Sequence, residues 1–412
     1  MLNTCNSVGT WALRIWSYSN APTPRRSDIR ACEMLRIDFR KSARPVPRVE
    51  RDMYGFEPTE EQRMLMEAVN RFAANELRPA AREADESGEL PQALITKGWE
   101  LGVLQASIPE SYGGFGDRSA VTGVLAAEAL AWGDLAGALA VMMPGTFVLP
   151  VLLGGNENQK AALIPPVIGT GWRAVTAAFL EPQFDFYPAE MRSTAKSMNG
   201  SFVLSGKKTF VPFAAQAEKL LVFASLDGIT QAFVVPRATE GLTIGERQAL
   251  LGVHALPLYE VRLEGVRIPA EARLAQLNFA QVLASLQVAT GAMAIGVSRA
   301  AYEYAMEYAK QREAFGGPIA QKQSIAFMLA EMATEIDGSR LMVWEAAWQL
   351  DHEKDASKAA YLALMSAADT AMMVTDRSVQ ILGGHGYIRE HPVERWMRDG
   401  RGISTFTGLA IV

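Results

Sequence analysis

Side chains that hold metal ions or act as nucleophiles are few in this sequence. The histidines do not recur at the His-x-x-x-His spacing that places two imidazoles on one face of a helix. These histidines are His254, His352, His385 and His391. Both cysteines, Cys5 and Cys32, lie near the N-terminus, which leaves the rest of the chain without a disulfide or a thiolate. We therefore expect no metal site and no cysteine chemistry.

The composition indicates an ordinary soluble protein with more than one folding unit. A chain of 412 residues exceeds a single hydrophobic core, so two or three packed domains are expected. The formal net charge of −5 argues against nucleic acid as a partner. A membrane-spanning helix needs roughly 18 to 20 uncharged apolar residues, and no run of strictly apolar residues is that long. We expect a protein with neither a nucleic-acid partner nor a membrane span.

Residues 1–52 differ from the remainder because they are rich in Arg, Ser and Pro and lack regular periodicity. Two interpretations stand. The segment is either a transit-type presequence, which would place the protein in the mitochondrial matrix, or a disordered or mis-started extension ahead of Met34 or Met53. We favour the second interpretation and a cytoplasmic location.

Residues 53–168 are predicted to be helical. Thr59, with Gln62 three residues later, forms a capping box at the start of the first helix. Residues 169–275 instead contain short segments rich in β-branched and aromatic residues, and Asn199-Gly200 is a strong hairpin signal. Residues 276–412 return to long helical patterns with many small residues. The predicted fold is α+β, with an N-terminal α domain, a middle antiparallel β domain and a C-terminal four-helix bundle.

Several stretches, in this order, resemble the acyl-CoA dehydrogenase family of flavoproteins over roughly residues 54–412. The stretches that carry the resemblance are "IPESYGGFG", "GGNENQKAALIPPVIGTG", "LGVHALPLYEVRLEGVRIP", "QREAFGGPIAQKQSIAFMLAEM" and "QILGGHGYIREHPVERWMRD". The resemblance implies a reaction in which an acyl-CoA thioester loses an α proton to a carboxylate and a β hydride to FAD. It also implies an electron-transfer partner and a homodimer or tetramer.

The cofactor-binding half of the family pattern is retained. By resemblance, Arg312 contacts the FAD pyrophosphate, since a guanidinium offers planar donors to phosphate oxygens. Further cofactor-binding positions by resemblance are Phe315, Gln323, Gln380, Gly383 and Gly384. Within the same glycine-rich turn, His385 is interpreted as an ordinary variant rather than a base, and His391 as structural.

The usual catalytic carboxylate is missing from both positions where the family carries it. Counting from Arg398 places Thr407 where a Glu is expected, and counting back from Arg312 places Leu286 at the alternative position on an upstream helix. The neighbouring CoA-contacting arginine is replaced by Gln287. The catalytic residue is therefore left unassigned.

The flavin-covering segments also depart from the family pattern. The loop that begins at Glu181 and Pro182 has lost its glycines and serine, and Pro212 replaces a threonine that contacts the flavin ring. Candidate replacement acids are Glu181, Asp185 and Glu190. An aromatic group either fills the ring or acyl space or packs a domain interface: Phe184, Phe186, Tyr187, Phe210 and Phe213.

Three functions remain open at this stage. The first is an FAD-dependent acyl-CoA dehydrogenase-like oxidoreductase, which we favour. The second is a non-catalytic subunit that completes the FAD site of an active paralogue in a hetero-oligomer. The third is a flavin monooxygenase of the same fold, which needs no α-proton base.

Overall fold

The computed structural model describes residues 58–169 and 171–412, which belong to one compact unit. The predictions for residues 1–52 lie outside the described residues. Helices run to Ile168, strands occupy the middle of the chain, and helices resume at Phe279. The order α, β, α therefore agrees with the predicted fold class.

The N-terminal helices begin at the predicted capping box. Thr59 Oγ1 accepts the amide of Gln62, and Gln62 Oε1 accepts the amide of Thr59 at 2.9 Å. A π turn, Ala73–Leu77, joins the first two helices. Within residues 58–169 the eight α-helices are α1 Glu60–Phe72, α2 Arg78–Ser87, α3 Gln92–Trp99, α4 Ala120–Gly133, α5 Leu135–Met142, α6 Gly145–Gly154, α7 Glu157–Leu163 and α8 Pro165–Ile168.

Seven strands form one sheet in the order β1-β4-β2-β3-β7-β6, with β5 paired to β4. The strands are β1 Val175–Ala178, β2 Thr194–Met198, β3 Ser201–Pro212, β4 Lys219–Leu226, β5 Ile229–Pro236, β6 Leu242–Arg247 and β7 Leu258–Pro269. Most pairings are antiparallel as predicted, but β1 and β2 each lie parallel to β4. Asn199 (φ 50°) and Gly200 (φ 75°) form the predicted β2–β3 hairpin turn, because both residues adopt the positive φ of a type I′ turn.

The C-terminal helices pack around one long central helix. They are α9 Phe279–Gln311, α10 Gln323–Asp351, α11 Ser357–Leu382 and α12 Val393–Gly402. The helix α9 contacts α4, α10, α11 and α12. Its close approach to α4 depends on Gly296, where a Cβ atom would lie 2.3 Å from the carbonyl oxygen of Glu128.

Length and hydropathy alone would allow α9 to cross a membrane. However, 83% of its apolar window is buried inside the fold, as expected for a core helix. The bent pair α5–α6 passes the same test only if its two helices are counted as one span.

Candidate functional site

A candidate cavity lies between the C-terminal end of α9 and the turn that follows α11. Tyr304, Tyr308 and Arg312 recur every four residues, so the last turns of α9 present them on one side toward this turn. The cavity measures about 540 Å³. It is lined by Tyr308, Arg312, Ile319, Ile381, Leu382, Gly383, Gly384, His385 and Ile388. Three predicted cofactor residues, Arg312, Gly383 and Gly384, are thus brought together.

Arg312 is held by a short turn that follows α9. The amide of Ile319 donates to the carbonyl of Arg312 at 2.8 Å, and Ala314 donates to Gly317 at 3.0 Å. The Arg312 side chain is exposed and has no ion-pair or hydrogen-bond partner among the residues that the structure describes. Gly383, at φ 59° and ψ −129°, adopts a backbone conformation that favours glycine. The cavity therefore combines an available cation with an open main-chain turn.

The other three predicted cofactor residues do not line this cavity. Phe315 is 95% exposed beside it, and Gln323 and Gln380 are exposed at the first turn of α10 and the last turn of α11. Their cofactor roles stay predictions, since their exposed side chains point to no protein partner in the chain described here.

The two segments that usually carry the catalytic base meet at Arg118. Its Nη2 donates to Ser285 Oγ at 2.7 Å and to the main-chain oxygen of Val412. Burial lowers the pKa of Arg118, against the opposing charge of Asp351. Leu286, beside Ser285, is only 1% exposed. Arg118 thus connects the α9 segment that contains Leu286 to the C-terminal segment that contains Thr407, and the leucine is buried.

Thr407 precedes a glycine that packs against an aromatic cluster, which sequence reasoning did not identify. This glycine, Gly408, has φ 104°, and a Cβ atom there would lie 2.5 Å from Phe179. The ring of Phe179 contacts Phe186, Phe223 and Phe279 at centroid distances of 5.9, 5.2 and 6.3 Å. No local signal indicates this cluster, because its members come from the loop after β1, from β4 and from α9.

The aromatic group predicted from the sequence is divided in the structure. Phe186, Phe210 and Phe213 pack against the main hydrophobic core, and Phe213 contacts Trp172 at 5.1 Å. Phe184 and Tyr187 are instead 111% and 59% exposed. They differ from Phe186 because neighbours in sequence alternate between the protein interior and solvent in this loop.

The three candidate replacement acids either form ion pairs with basic side chains or face solvent. Glu181 pairs with Lys208 at 2.8 Å, with side chains 1% and 0% exposed. Burial opposes ionisation, but the Lys208 charge and donors from Lys208 and Ser193 together lower the pKa of Glu181. Asp185 pairs with Arg192 at 2.9 Å on the surface, and Glu190 is exposed. We therefore assign none of them as the base.

Family models match the three parts of the chain in order. The N-terminal, middle and C-terminal domains of acyl-CoA dehydrogenase match residues 59–170, 176–266 and 279–410. The chain belongs to the acyl-CoA dehydrogenase family. It is an FAD-dependent oxidoreductase of acyl-CoA dehydrogenase type, and no finding favours the subunit or monooxygenase alternatives.

Individual relatives in this family are similar to this chain along most of its length. The caffeyl-CoA reductase-Etf complex subunit CarC of Acetobacterium woodii is 33% identical over 86% of this chain and 96% of that protein. Butyryl-CoA dehydrogenase from Megasphaera elsdenii has a TM-score of 0.79 and 32% identity, with 86% of this chain and 96% of that chain covered. A glutaryl-CoA dehydrogenase from Mycobacterium smegmatis, solved with FADH2, has a TM-score of 0.76 and 26% identity, with 85% and 92% covered.

FAD is the cofactor of this family, and the described residues fit its diphosphate end better than its ring end. Arg312 and the Gly383–Gly384 turn supply an unpaired cation and open main chain at the cavity. At the ring end, Pro212 cannot donate a hydrogen bond, and the altered loop presents Phe184, Asp185 and Phe186 in place of small residues. Residue types suited to a diphosphate are retained at this cavity, whereas the residues at the predicted ring positions differ from the family pattern.

Proposed function

We propose that this chain interconverts an acyl-CoA thioester and its α,β-unsaturated partner. The substrate loses a proton from its α carbon and a hydride from its β carbon, and FAD, when bound, accepts the hydride. In the reverse reaction, the proton and the hydride are added to the double bond. The observation that carries this proposal is the cavity that joins Arg312 to the Gly383–Gly384 turn.

The two family positions for the catalytic base do not provide a group that can remove the α proton. A positioned general base contributes about 10²–10⁴-fold to such a reaction, and Thr407 and Leu286 offer no basic group at neutral pH. We therefore expect turnover well below that of a relative that carries a carboxylate at either position.

We also propose an electron-transferring flavoprotein as the redox partner and a second copy of this chain as the assembly partner. The first is supported by the relative from Acetobacterium woodii, whose name places it in a complex with Etf. The second is supported by large apolar side chains exposed on α10 and α11. These side chains are Phe327, Leu341, Tyr361, Leu362 and Met365.

The test is a spectral titration of the purified chain. Bound flavin should give a visible absorption spectrum that bleaches when butyryl-CoA or an arylpropionyl-CoA is added, and recovers when an electron-transferring flavoprotein is supplied. Light scattering after size exclusion should report a dimer or tetramer. Flavin that keeps its oxidised spectrum with every thioester would contradict the proposed reaction.

A further inference from the structure

Two tyrosine–histidine pairs lie side by side at the end of α9. Tyr304 Oη contacts His391 Nδ1 at 2.8 Å, and Tyr308 Oη contacts His385 Nδ1 at 3.0 Å. The rings of His385 and His391 are 5.4 Å apart, and the ring of Tyr308 is 5.7 Å from that of His391. The four rings thus support one another, and the orientation of His385 is fixed from its Nδ1 side.

This contact leaves one ring nitrogen of His385 available. Nδ1 shares a hydrogen bond with the Tyr308 hydroxyl, and the tautomer of the ring decides which group donates. When the O–H group donates to Nδ1, the hydrogen of the neutral imidazole is on Nε2. Nε2 has no hydrogen-bond partner within the part of the chain that the structure describes. In this tautomer His385 keeps one free N–H donor.

The free donor lies at a cavity of positive character. His385 lines the same cavity as Arg312, and none of the described residues that line it is an Asp or Glu. The titratable and charged groups facing His385 are Tyr308 and Arg312 from α9, with His391 behind its ring. A cation, an imidazole N–H and an open glycine turn together suit a phosphate anion.

We propose that the Tyr308 O–H group donates to Nδ1, so that His385 binds the diphosphate of FAD through Nε2–H and Tyr308 positions its ring. Arg312 supplies the charge, and His385 supplies a second donor. This inference concerns FAD affinity alone, so its test is separate from the test of the proposed reaction, which measures flavin bleaching by a thioester.

The experiment measures the FAD affinity of the full-length apo-protein by quenching of flavin fluorescence. Loss of a hydrogen bond to a charged group corresponds to about 10- to 100-fold, so His385→Gln should weaken FAD binding by about that factor. His385→Lys should restore affinity, because an ammonium group also donates to phosphate. Tyr308→Phe should weaken binding less, because it removes only the group that positions the ring.

ADP serves as a competitor that carries the diphosphate without the flavin ring. It should displace FAD from the wild-type protein more readily than from His385→Gln when each is compared at equal FAD saturation. The matched control is His352→Gln, because His352 bonds to the Trp348 carbonyl at 2.8 Å and lies outside the cavity. Circular dichroism verifies that each variant is folded. A folded His385→Gln variant with wild-type affinity for FAD, or with weaker FAD binding but no change toward ADP, would overturn the proposal.

Discussion

Lys208 Nζ lies 2.8 Å from Glu181 Oε1, and both side chains are withdrawn from solvent. Lys208 also donates to the carbonyl of Phe179 at 3.2 Å, and Glu181 accepts the amides of Arg192 and Ser193 at 2.8 Å. The pair therefore fixes both ends of the loop between β1 and β2 against β3. That loop carries the residues that depart most from the family's flavin-covering motif.

Removing one charge of this pair should be costly. Glu181→Gln keeps an oxygen acceptor for only one of the two amides, which bond to different carboxylate oxygens, and it leaves the Lys208 ammonium without a counter-charge. We therefore expect a loss of about 3–5 kcal/mol in the free energy of unfolding, measured by urea denaturation. The double variant Glu181→Gln/Lys208→Met should recover the part of this loss that comes from the unpaired ammonium. Asp185→Asn, which breaks an exposed pair, should cost less than about 1 kcal/mol. Equal instability of the single and double variants would contradict this account.

Asp399 should make stability depend on pH. Burial, together with the nearby Asp134, raises its pKa from 3.8 to about 7, against the opposing effect of Arg395 and of the Val253 amide. The folded state therefore holds a proton that the unfolded state releases between about pH 4 and pH 7. Its contribution to stability falls as pH rises through that window, by up to about 1.4 kcal/mol per pH unit.

Asp399→Asn should remove this part of the pH dependence. The amide oxygen can still accept from the Val253 amide, which donates to Asp399 Oδ1 at 2.6 Å in the native chain. Urea unfolding at pH 5, 6 and 7.5 compares the slopes of the two proteins, with Asp185→Asn as an exposed control. An unchanged slope in Asp399→Asn would show that Asp399 is ionised throughout.

Gly383 and Gly384 should differ sharply in their tolerance of alanine. Gly383→Ala places a Cβ atom on a backbone at φ 59° and ψ −129°, which costs about 1–3 kcal/mol. Gly384 has no positive φ, and a Cβ atom there meets no protein atom within 4 Å. Gly384→Ala should therefore change the unfolding free energy by less than about 0.5 kcal/mol. Thermal unfolding without added FAD measures both, and similar values for the two variants would refute the argument.

Restoring a carboxylate at Thr407 should accelerate the proposed reaction. Thr407→Glu places a base at the position implied by the family resemblance, and a general base contributes about 10²–10⁴-fold. The measurement is the rate of flavin bleaching by butyryl-CoA in a stopped-flow spectrometer. Thr405→Glu, at a nearby exposed position, is the matched control. If both variants bleach at the wild-type rate, the position of residue 407 relative to the substrate is not the one proposed.

Elements with local signals could be predicted from the sequence. The Thr59–Gln62 capping box and the Asn199-Gly200 turn form as predicted, because each depends on contacts within a few residues. The α, β, α order followed from the change in hydrophobic period. The parallel pairing of β1 and β2 with β4 was not predictable, since strand order depends on long-range contacts.

The sequence by itself determined the family, its cofactor and the absence of a carboxylate at positions 407 and 286, since residue types at aligned positions need no coordinates. Only the tertiary structure decided which side chains meet: Lys208 with Glu181, Phe179 with Phe279, and Tyr308 with His385. The physical reason is that burial and charge pairing join residues distant in sequence, and a local pattern carries no information about the partner on the other side of such a contact.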